Sequence, residues 1–140
     1  MFNKDDLPRD TRGVRLDVEG KRDKTFSNWH RKYIKRGGYS TDVDFIEYRF
    51  VNGILKVIAI IEVKRWYLTQ PKYVENSANF KAIKDLAQRA SVPFFHIWYE
   101  CIKDSDTEIK MFRVWDVFNE EKEKSKEMNP EDFKKFIDGL

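Results

Sequence analysis

The sequence predicts a single α/β (α+β) domain, residues 1–140, in which helices flank a mixed β-sheet. Three observations lead to this prediction. Two strand-like runs stand on either side of an Asn52-Gly53 turn, a helix with apolar residues three and four apart follows, and two more strand-like runs come after Pro93. A length of 140 residues, 41% of them hydrophobic, suits one domain with a core and is too short for two.

The chain begins with a basic segment. Residues 1–38 hold eleven Lys and Arg against six Asp and Glu, although the net charge of the whole chain is only +3. Residues 1–25 lack a sustained periodicity and are predicted to form an extended basic arm, with a candidate short strand at residues 14–18. Such a segment either contacts phosphates or is a solvated surface with interspersed acids, and charge alone does not choose between them.

A first helix is predicted after the arm. Ser27 or Asn28 caps it, aromatic residues four apart mark one face, and it ends near Arg36, before Gly37-Gly38.

The next elements are two strands joined by the Asn52-Gly53 turn. Asn-Gly is the dipeptide that two-residue hairpin loops favour. Residues 54–61 are nearly all β-branched or Leu, interrupted by Lys56 and Ala59, which predicts a strand buried on both faces.

The second half of the chain predicts a helix, two strands and a terminal helix. The helix spans residues 76–90, the strands span residues 94–99 and 109–115 as antiparallel partners, and residues 119–127 form either a charged helix or a mobile linker. Asn129-Pro130 starts the terminal helix of the 119–140 segment. Its apolar stripe either closes the domain or packs against a second copy; the stripe consists of Phe133, Phe136, Ile137 and Leu140.

Charged residues at the ends of the two hairpin strands form the candidate site. Asp44 stands at the head of the first strand, and Glu62 and Lys64 end the second on one face, since side chains alternate. Burying such charges is costly unless they are paired or bind a metal. Carboxylates hold Mg²⁺, and a neighbouring cation assists phosphodiester hydrolysis. The competing interpretations are a structural ion pair and a surface hairpin with solvated ends.

These residues resemble the motif of the PD-(D/E)xK nuclease superfamily, which has the restriction-endonuclease-like fold and includes Holliday-junction resolvases and many phage enzymes. Asp44 matches the first family carboxylate, Glu62 the second and Lys64 the lysine, whereas Val43 replaces the proline. The resemblance covers about residues 27–115 and implies the core order αβββαβ, with a three-stranded antiparallel meander.

The resemblance also implies an activity and a cofactor. The expected enzyme is a metal-dependent DNA endonuclease, with branched DNA as one candidate substrate and RNA as another. Asp44 and Glu62 would hold Mg²⁺, for which Mn²⁺ can substitute, together with the carbonyl of Val63 and with Asp42 as an added or alternative ligand. His30 stands where some members carry an acid on the first helix, so it is a catalytic candidate beside its interpretation as a structural histidine.

Other residues are candidates for contacts with nucleic acid, because they are basic or polar residues on the two predicted helices. They are Arg31, Lys32, Lys35, Arg36, Lys84 and Gln88. The alternative function is a non-catalytic nucleic-acid-binding or assembly module that retains the fold. A homodimer is a further expectation from the resolvase analogy.

The hairpin geometry makes a prediction of its own. With a two-residue Asn52-Gly53 loop and regular pairing, Val51 faces Ile54 and Asp44 faces Ile61, so that Asp44 points away from Glu62. A shared site therefore requires a bulge or a longer loop in this hairpin.

Composition excludes several classes of protein. The single Cys101 excludes an intramolecular disulfide, and with two histidines no zinc cluster is expected. His96 is interpreted as a core or edge histidine. No apolar run reaches the length of a membrane span and the start lacks a signal peptide, so we expect a protein of the reducing cytoplasm. The resemblance implies that this is the cytoplasm of a microbe or a phage-infected host.

Overall fold

A computed structural model of the chain describes residues 25–34, 39–66, 71–103 and 108–140, without the side chains of residues 27, 31 and 71–73. The chain divides into two compact units, residues 1–40 and residues 41–140. The basic arm up to residue 24, with its candidate strand at residues 14–18, lies outside the described residues.

In the described residues of the first unit, helix α1 spans Thr25–Tyr33. Trp29 and Tyr33 lie on one face of it as predicted, with their ring centroids 5.3 Å apart. The helix was expected to reach Arg36, but the helical residues end at Tyr33, and residues 35–38 lie outside the described residues.

The second unit is built on a five-stranded mixed sheet. Its strands lie in chain order and are β1 (Phe45–Val51), β2 (Ile54–Arg65), β3 (Phe94–Cys101), β4 (Ile109–Asp116) and β5 (Lys126–Met128). Strands β2 and β3 are parallel, and the other neighbours are antiparallel. Helix α2 (Ala78–Ala90) follows a short 3₁₀ helix (Pro71–Asn76) and connects β2 to β3, and α3 (Pro130–Asp138) ends the chain. The predicted class, a mixed sheet with helices, is confirmed.

The order of elements differs from the predicted one in two places. Between α1 and α2 the described residues contain two strands rather than a three-stranded meander, because β2 runs for twelve residues without a break. Residues 119–127, expected to be a helix or a linker, instead contain a 3₁₀ turn at Lys122–Lys124 and most of β5. Strand β5 extends the sheet by pairing with β4, and Arg113 Nη2 lies 2.7 Å from Glu127 Oε1 across that pair.

Two hydrophobic clusters lie on opposite faces of the sheet. On one face Ile60 and Trp98 pack with residues of α2, such as Phe80 and Ile83. On the other face, the apolar stripe of α3 covers a cluster around Ile97. The stripe therefore closes the unit, which was one of its two predicted roles. Burial of apolar surface on both faces explains why the first six residues of the central strand β3 are apolar except for His96.

The prediction that residues 54–61 are buried on both faces was wrong for the first half of that run. Ile54 is 72% exposed and Leu55 52%, whereas Ile60 and Ile61 are buried. The reason is the extent of β3, which first pairs with β2 at Ile60. Before that residue, β1 is the one strand of the described segments that pairs with β2, and the hairpin extends beyond the covered part of the sheet.

The hairpin combines a two-residue turn with a bulge. Asn52 and Gly53 both have positive φ, 51° and 77°, and Val51 pairs with Ile54 as the tight turn requires. The register then shifts between Glu47 and Tyr48, which leaves Ile58 of β2 as an extra residue. The predicted irregularity is confirmed, and its effect is to reverse the facing of every residue beyond it.

The turn itself offers a test of this geometry. Gly53→Ala is expected to lower the free energy of unfolding by about 1–2 kcal/mol, because an L-residue is strained in the left-handed region. A Cβ at Gly53 would meet no atom within 4 Å, so the loss would reflect backbone strain alone. Urea denaturation measures it, with Lys56→Ala, an exposed change on the same hairpin, as the control. Equal stability of Gly53→Ala and wild type would contradict the tight turn.

Candidate functional site

Asp44 and Glu62 face each other at the end of the hairpin. Beyond the bulge Phe45 pairs with Ile61, so the next pair outward joins Asp44 to Glu62. The backbone N–H of Asp44 donates to Glu62 Oε1 at 3.0 Å, and the N–H of Val63 donates to Asp44 Oδ2 at 3.0 Å. Each bond engages one oxygen of its carboxylate, and each carboxylate has a second oxygen for another partner.

Glu62 is a buried acid, with 6% of its surface exposed. The pKa of Glu62 is raised from 4.5 to about 7, chiefly because the side chain is buried. The neighbouring charge of Asp44 also raises it, while the hydrogen bond from the Asp44 backbone and the charge of Lys64 oppose the rise. A carboxyl with such a perturbed pKa in a cleft is typical of functional sites.

Lys64 lies on the same face of β2 as Glu62, since the two residues are two apart in a strand. Both side chains line a cavity of about 210 Å³ between the sheet and α2. Asp44 does not line this cavity, but it adjoins Glu62 through the two hydrogen bonds donated by the backbone N–H groups of Asp44 and Val63.

His96 also lines this cavity, which the sequence analysis did not anticipate. The parallel register places it beside Glu62. As expected of a core histidine it is 2% exposed, with its ring centroid 4.5 Å from that of Trp98, but its Nδ1 reaches no hydrogen-bond partner in the described part of the chain. The pKa of His96 is lowered from 6.5 to about 4, chiefly by burial and also by the charge of Lys64, while the charge of Asp44 opposes the shift.

The start of α2 forms the opposite wall of the cavity. Ser77 caps the helix, and its Oγ accepts a hydrogen bond from the N–H of Phe80 at 3.0 Å. Ser77, Asn79 and Phe80 line the cavity. The capping serine is a recognisable helix start, one residue after the predicted beginning of this helix, but its place beside Glu62 depends on packing.

Asp42 and Val63 were the other predicted metal ligands. Asp42 is exposed, in the segment before β1. Throughout the described residues, no three His, Cys, Asp or Glu side chains are grouped so that they could hold a metal ion, so Asp42 does not join Asp44 and Glu62 as a third side-chain ligand. Val63 enters the site through its backbone, as the donor to Asp44.

The remaining predicted site residues belong to the first unit or to α2, or are not among the described residues. His30 and Lys32 are on α1, in the first unit, where Lys32 Nζ lies 5.2 Å from the ring centroid of Tyr33. The side chain of Arg31 and all of Lys35 and Arg36 are not among the described residues.

Lys84 and Gln88 are exposed on α2. They lie roughly 10 and 16 Å along the helix axis from Ser77, at 1.5 Å per residue. Gln88 lines a different cavity, of about 300 Å³, beside Val92 and Phe118. The α2 residues nearest to Glu62 and Lys64 are therefore those of its first turn.

In the described residues, every helix is too short or too polar to cross a membrane. Comparison of the chain with known protein families, with curated protein sequences and with solved structures finds no match.

Proposed function

We propose that this protein is a metal-dependent endonuclease of the PD-(D/E)xK type, with DNA as its substrate and branched DNA as the first candidate. The observation that carries the proposal is the bulge that turns Asp44 toward Glu62. A regular hairpin with this turn would place the two carboxylates on opposite faces. The bulge interrupts the regular strand pairing and brings the two carboxylates together. Bulges of this kind are frequent beside active sites, where they redirect a side chain.

The residues present are suited to a hard divalent cation. Mg²⁺ commonly takes one or two carboxylates and keeps several waters, so two acids are sufficient. Val63 donates its N–H toward Asp44, and the N–H and C=O of a strand residue point to the same edge of the strand. The carbonyl of Val63 is therefore a candidate third ligand, as the resemblance implies. When bound, the cation would lower the pKa of its water and offset charge on the phosphate.

The cation of Lys64 has a role distinct from that of the acids. It lines the same cavity as Glu62 and lies on the same face of the sheet. We assign it to orienting the attacking water or stabilising the charge that develops on the phosphate. His30 and the basic residues of the first unit remain candidates for phosphate contacts, as do Lys84 and Gln88, and pairing of two copies stays a prediction. The proposal places the protein with nucleic acid in the cytoplasm.

A non-catalytic nucleic-acid-binding module is the second candidate. The observation that favours it is the small number of metal-binding side chains, since the described residues contain no group of three. The raised pKa of Glu62 favours the enzyme instead, because a module without chemistry has no use for a buried acid beside a second carboxylate.

Cleavage assays decide between the two. Wild-type protein is expected to cut at least one of labelled four-way junction, linear duplex, single-stranded DNA and RNA in Mg²⁺ or Mn²⁺, and not in EDTA. Asp44→Asn, Glu62→Gln and Lys64→Ala are each expected to reduce the rate by about 10²–10³-fold or more, because each removes a group that stabilises charge in the transition state.

The control for these variants is Lys134→Ala. Like Lys64→Ala it removes one positive charge, but Lys134 is on α3, which packs on the opposite face of the sheet. It is expected to cut at the wild-type rate. Binding without cleavage under every condition would favour the non-catalytic module. Cleavage that survives all three site variants would show that the hydrolytic site lies elsewhere.

A further inference from the structure

Strand β1 lies at one edge of the sheet. Among the described strands its one neighbour is β2, so its other side is an unpaired edge in this part of the chain. In a tight turn the carbonyl of the first residue accepts from the N–H of the fourth, here Val51 and Ile54, so the backbone of Val51 points toward β2. Because this direction alternates along a strand, every second residue of β1 directs its N–H and C=O outward. These residues are Ile46, Tyr48 and Phe50.

The hairpin also has an exposed apolar patch on the face of the sheet that packs against α2 further along. Tyr48 pairs with Val57 and Phe50 with Leu55, so their side chains share a face with Ile46, which pairs with Ile60 of the core. The exposed fractions range from 38% for Val57 to 68% for Phe50. A contiguous apolar patch on an unpaired edge strand is typical of a surface that binds another chain.

The charges of β1 are complementary to a second copy of the same strand. Glu47 and Arg49 stand on either side of Tyr48. When two β1 strands pair antiparallel about an axis at Tyr48, Glu47 of each copy lies opposite Arg49 of the other. This register also joins the outward-pointing backbone of Tyr48 to Tyr48 and of Ile46 to Phe50, as hydrogen bonding requires.

The neighbouring symmetric registers are unfavourable. They place Glu47 opposite Glu47 or Arg49 opposite Arg49, and like charges directly across two strands destabilise the pair. Arg49 is already held in position within its own chain, with Nη1 3.0 Å from Glu47 Oε2 and Nη2 donating to the carbonyl of Ile137 at 2.9 Å. Pairing with the second copy therefore costs little side-chain entropy at Arg49.

We propose that β1 is the interface of a symmetric homodimer, in which two five-stranded sheets join edge to edge into one continuous sheet. The occupant is a second copy because a two-fold interface requires a surface that complements itself, and the arrangement of Glu47, Tyr48 and Arg49 does so in one register. The inference does not rest on the proposed function, since the pairing of β1 involves none of Asp44, Glu62 and Lys64.

Sedimentation equilibrium over a series of protein concentrations tests the interface. It is run at low ionic strength, because salt screens exposed charges. The wild-type protein is expected to dimerise. Glu47→Arg and Arg49→Glu each place like charges opposite each other at two symmetric positions, so each is expected to raise the dimer dissociation constant at least tenfold.

Mixing the two variants separates a charge effect from a failure to fold. In a heterodimer of Glu47→Arg with Arg49→Glu, every opposing pair joins unlike charges, so the mixture is expected to dimerise where each variant alone does not. The double variant is expected to dimerise as well, because it exchanges the two charges in both copies. The control is Lys134→Glu on α3, an exposed change of charge equal to that in Arg49→Glu, which is expected to dimerise like the wild type.

The outcomes distinguish the interface from the proposed function. A wild type that is monomeric at every concentration would overturn the interface, as would a dimer that neither single variant weakens. Failure of both the mixture and the double variant to dimerise would also overturn it, and so would an equal loss in Lys134→Glu. The expected pattern supports the interface even in a protein that cuts no nucleic acid. A monomer that cuts nucleic acid overturns the interface and leaves the nuclease proposal intact.

Discussion

Glu62→Gln is expected to raise the free energy of unfolding at about pH 8 by about 3 kcal/mol, since the pKa of Glu62 is raised from 4.5 to about 7 and one pKa unit corresponds to about 1.4 kcal/mol. At this pH the wild-type fold holds a charged carboxylate that burial disfavours. Glutamine keeps a similar shape and can accept the hydrogen bond from the Asp44 backbone without the charge. Urea denaturation of both proteins in EDTA measures the difference.

The gain depends on pH in a direction that can be checked. An acid with a raised folded pKa stabilises the fold below its unfolded value, here 4.5, and this contribution is lost as the pH rises through about 7. The advantage of Glu62→Gln is therefore expected to vanish below about pH 4.5.

Glu127→Gln is the control for Glu62→Gln, because it removes the acid of a structural ion pair. Glu127 Oε1 lies 2.7 Å from Arg113 Nη2 on the surface, and loss of such a pair changes stability by about 0–1 kcal/mol, in the destabilising direction. If Glu62→Gln lost stability at pH 8 in the same way, Glu62 would be half of a structural ion pair and the metal site would be refuted.

Addition of Mg²⁺ to the same denaturation experiment tests whether Glu62 binds the ion. A ligand that binds only the folded state stabilises it by RT ln(1 + [L]/Kd). Wild-type protein is therefore expected to gain stability as Mg²⁺ is added, and Glu62→Gln is expected to gain less. Equal gains in both proteins would show that Glu62 does not bind the ion.

His96→Phe and Glu62→Gln are expected to show opposite slopes of stability against pH. The pKa of His96 is lowered from 6.5 to about 4, so its neutral ring contributes stability above about 6.5 that is lost as the pH falls through about 4. In Glu62→Gln the contribution of His96 is no longer opposed by that of Glu62. The free energy of unfolding of this variant is therefore expected to fall by about 3 kcal/mol as the pH falls from about 6.5 to 4. In His96→Phe the contribution of Glu62 remains, and stability rises as the pH falls from about 7 to 4.5.

The wild-type protein combines the two contributions. They oppose each other between about pH 4.5 and 6.5, so its stability is expected to change little there. Denaturation series of the three proteins at several pH values give the slopes directly, and the slopes do not depend on any constant change in packing caused by phenylalanine. Parallel curves for the two variants would contradict the burial of both groups.

Much of the fold can be predicted from local patterns. The turn chemistry of the hairpin, the apolar period of α2 and the stripe of α3 each match an element of the structure, because these signals depend on residues close together in the chain. Exposure of Ile54 and Leu55 could not be predicted in this way. It depends on where β3 begins relative to β2, and the composition of β2 alone does not contain that information.

The bulge could be predicted only in part from the sequence. Counting residues from the Asn52-Gly53 turn showed that a regular hairpin would separate Asp44 from Glu62, so an irregularity was required. Its position at Ile58 was not determined by that count. Any surplus residue between the turn and Glu62 satisfies it, and packing against the rest of the sheet selects one.

The residue types of Asp44, Glu62 and Lys64 predicted a shared site from the sequence, and the number of residues between the two acids set the condition that the hairpin contain an irregularity. Only the tertiary structure decided that His96 and the start of α2 enclose the same cavity. The parallel register of β2 and β3, set across a connection of almost thirty residues, brings His96 beside Glu62. No local periodicity records such a register, because it results from burying α2 against the sheet.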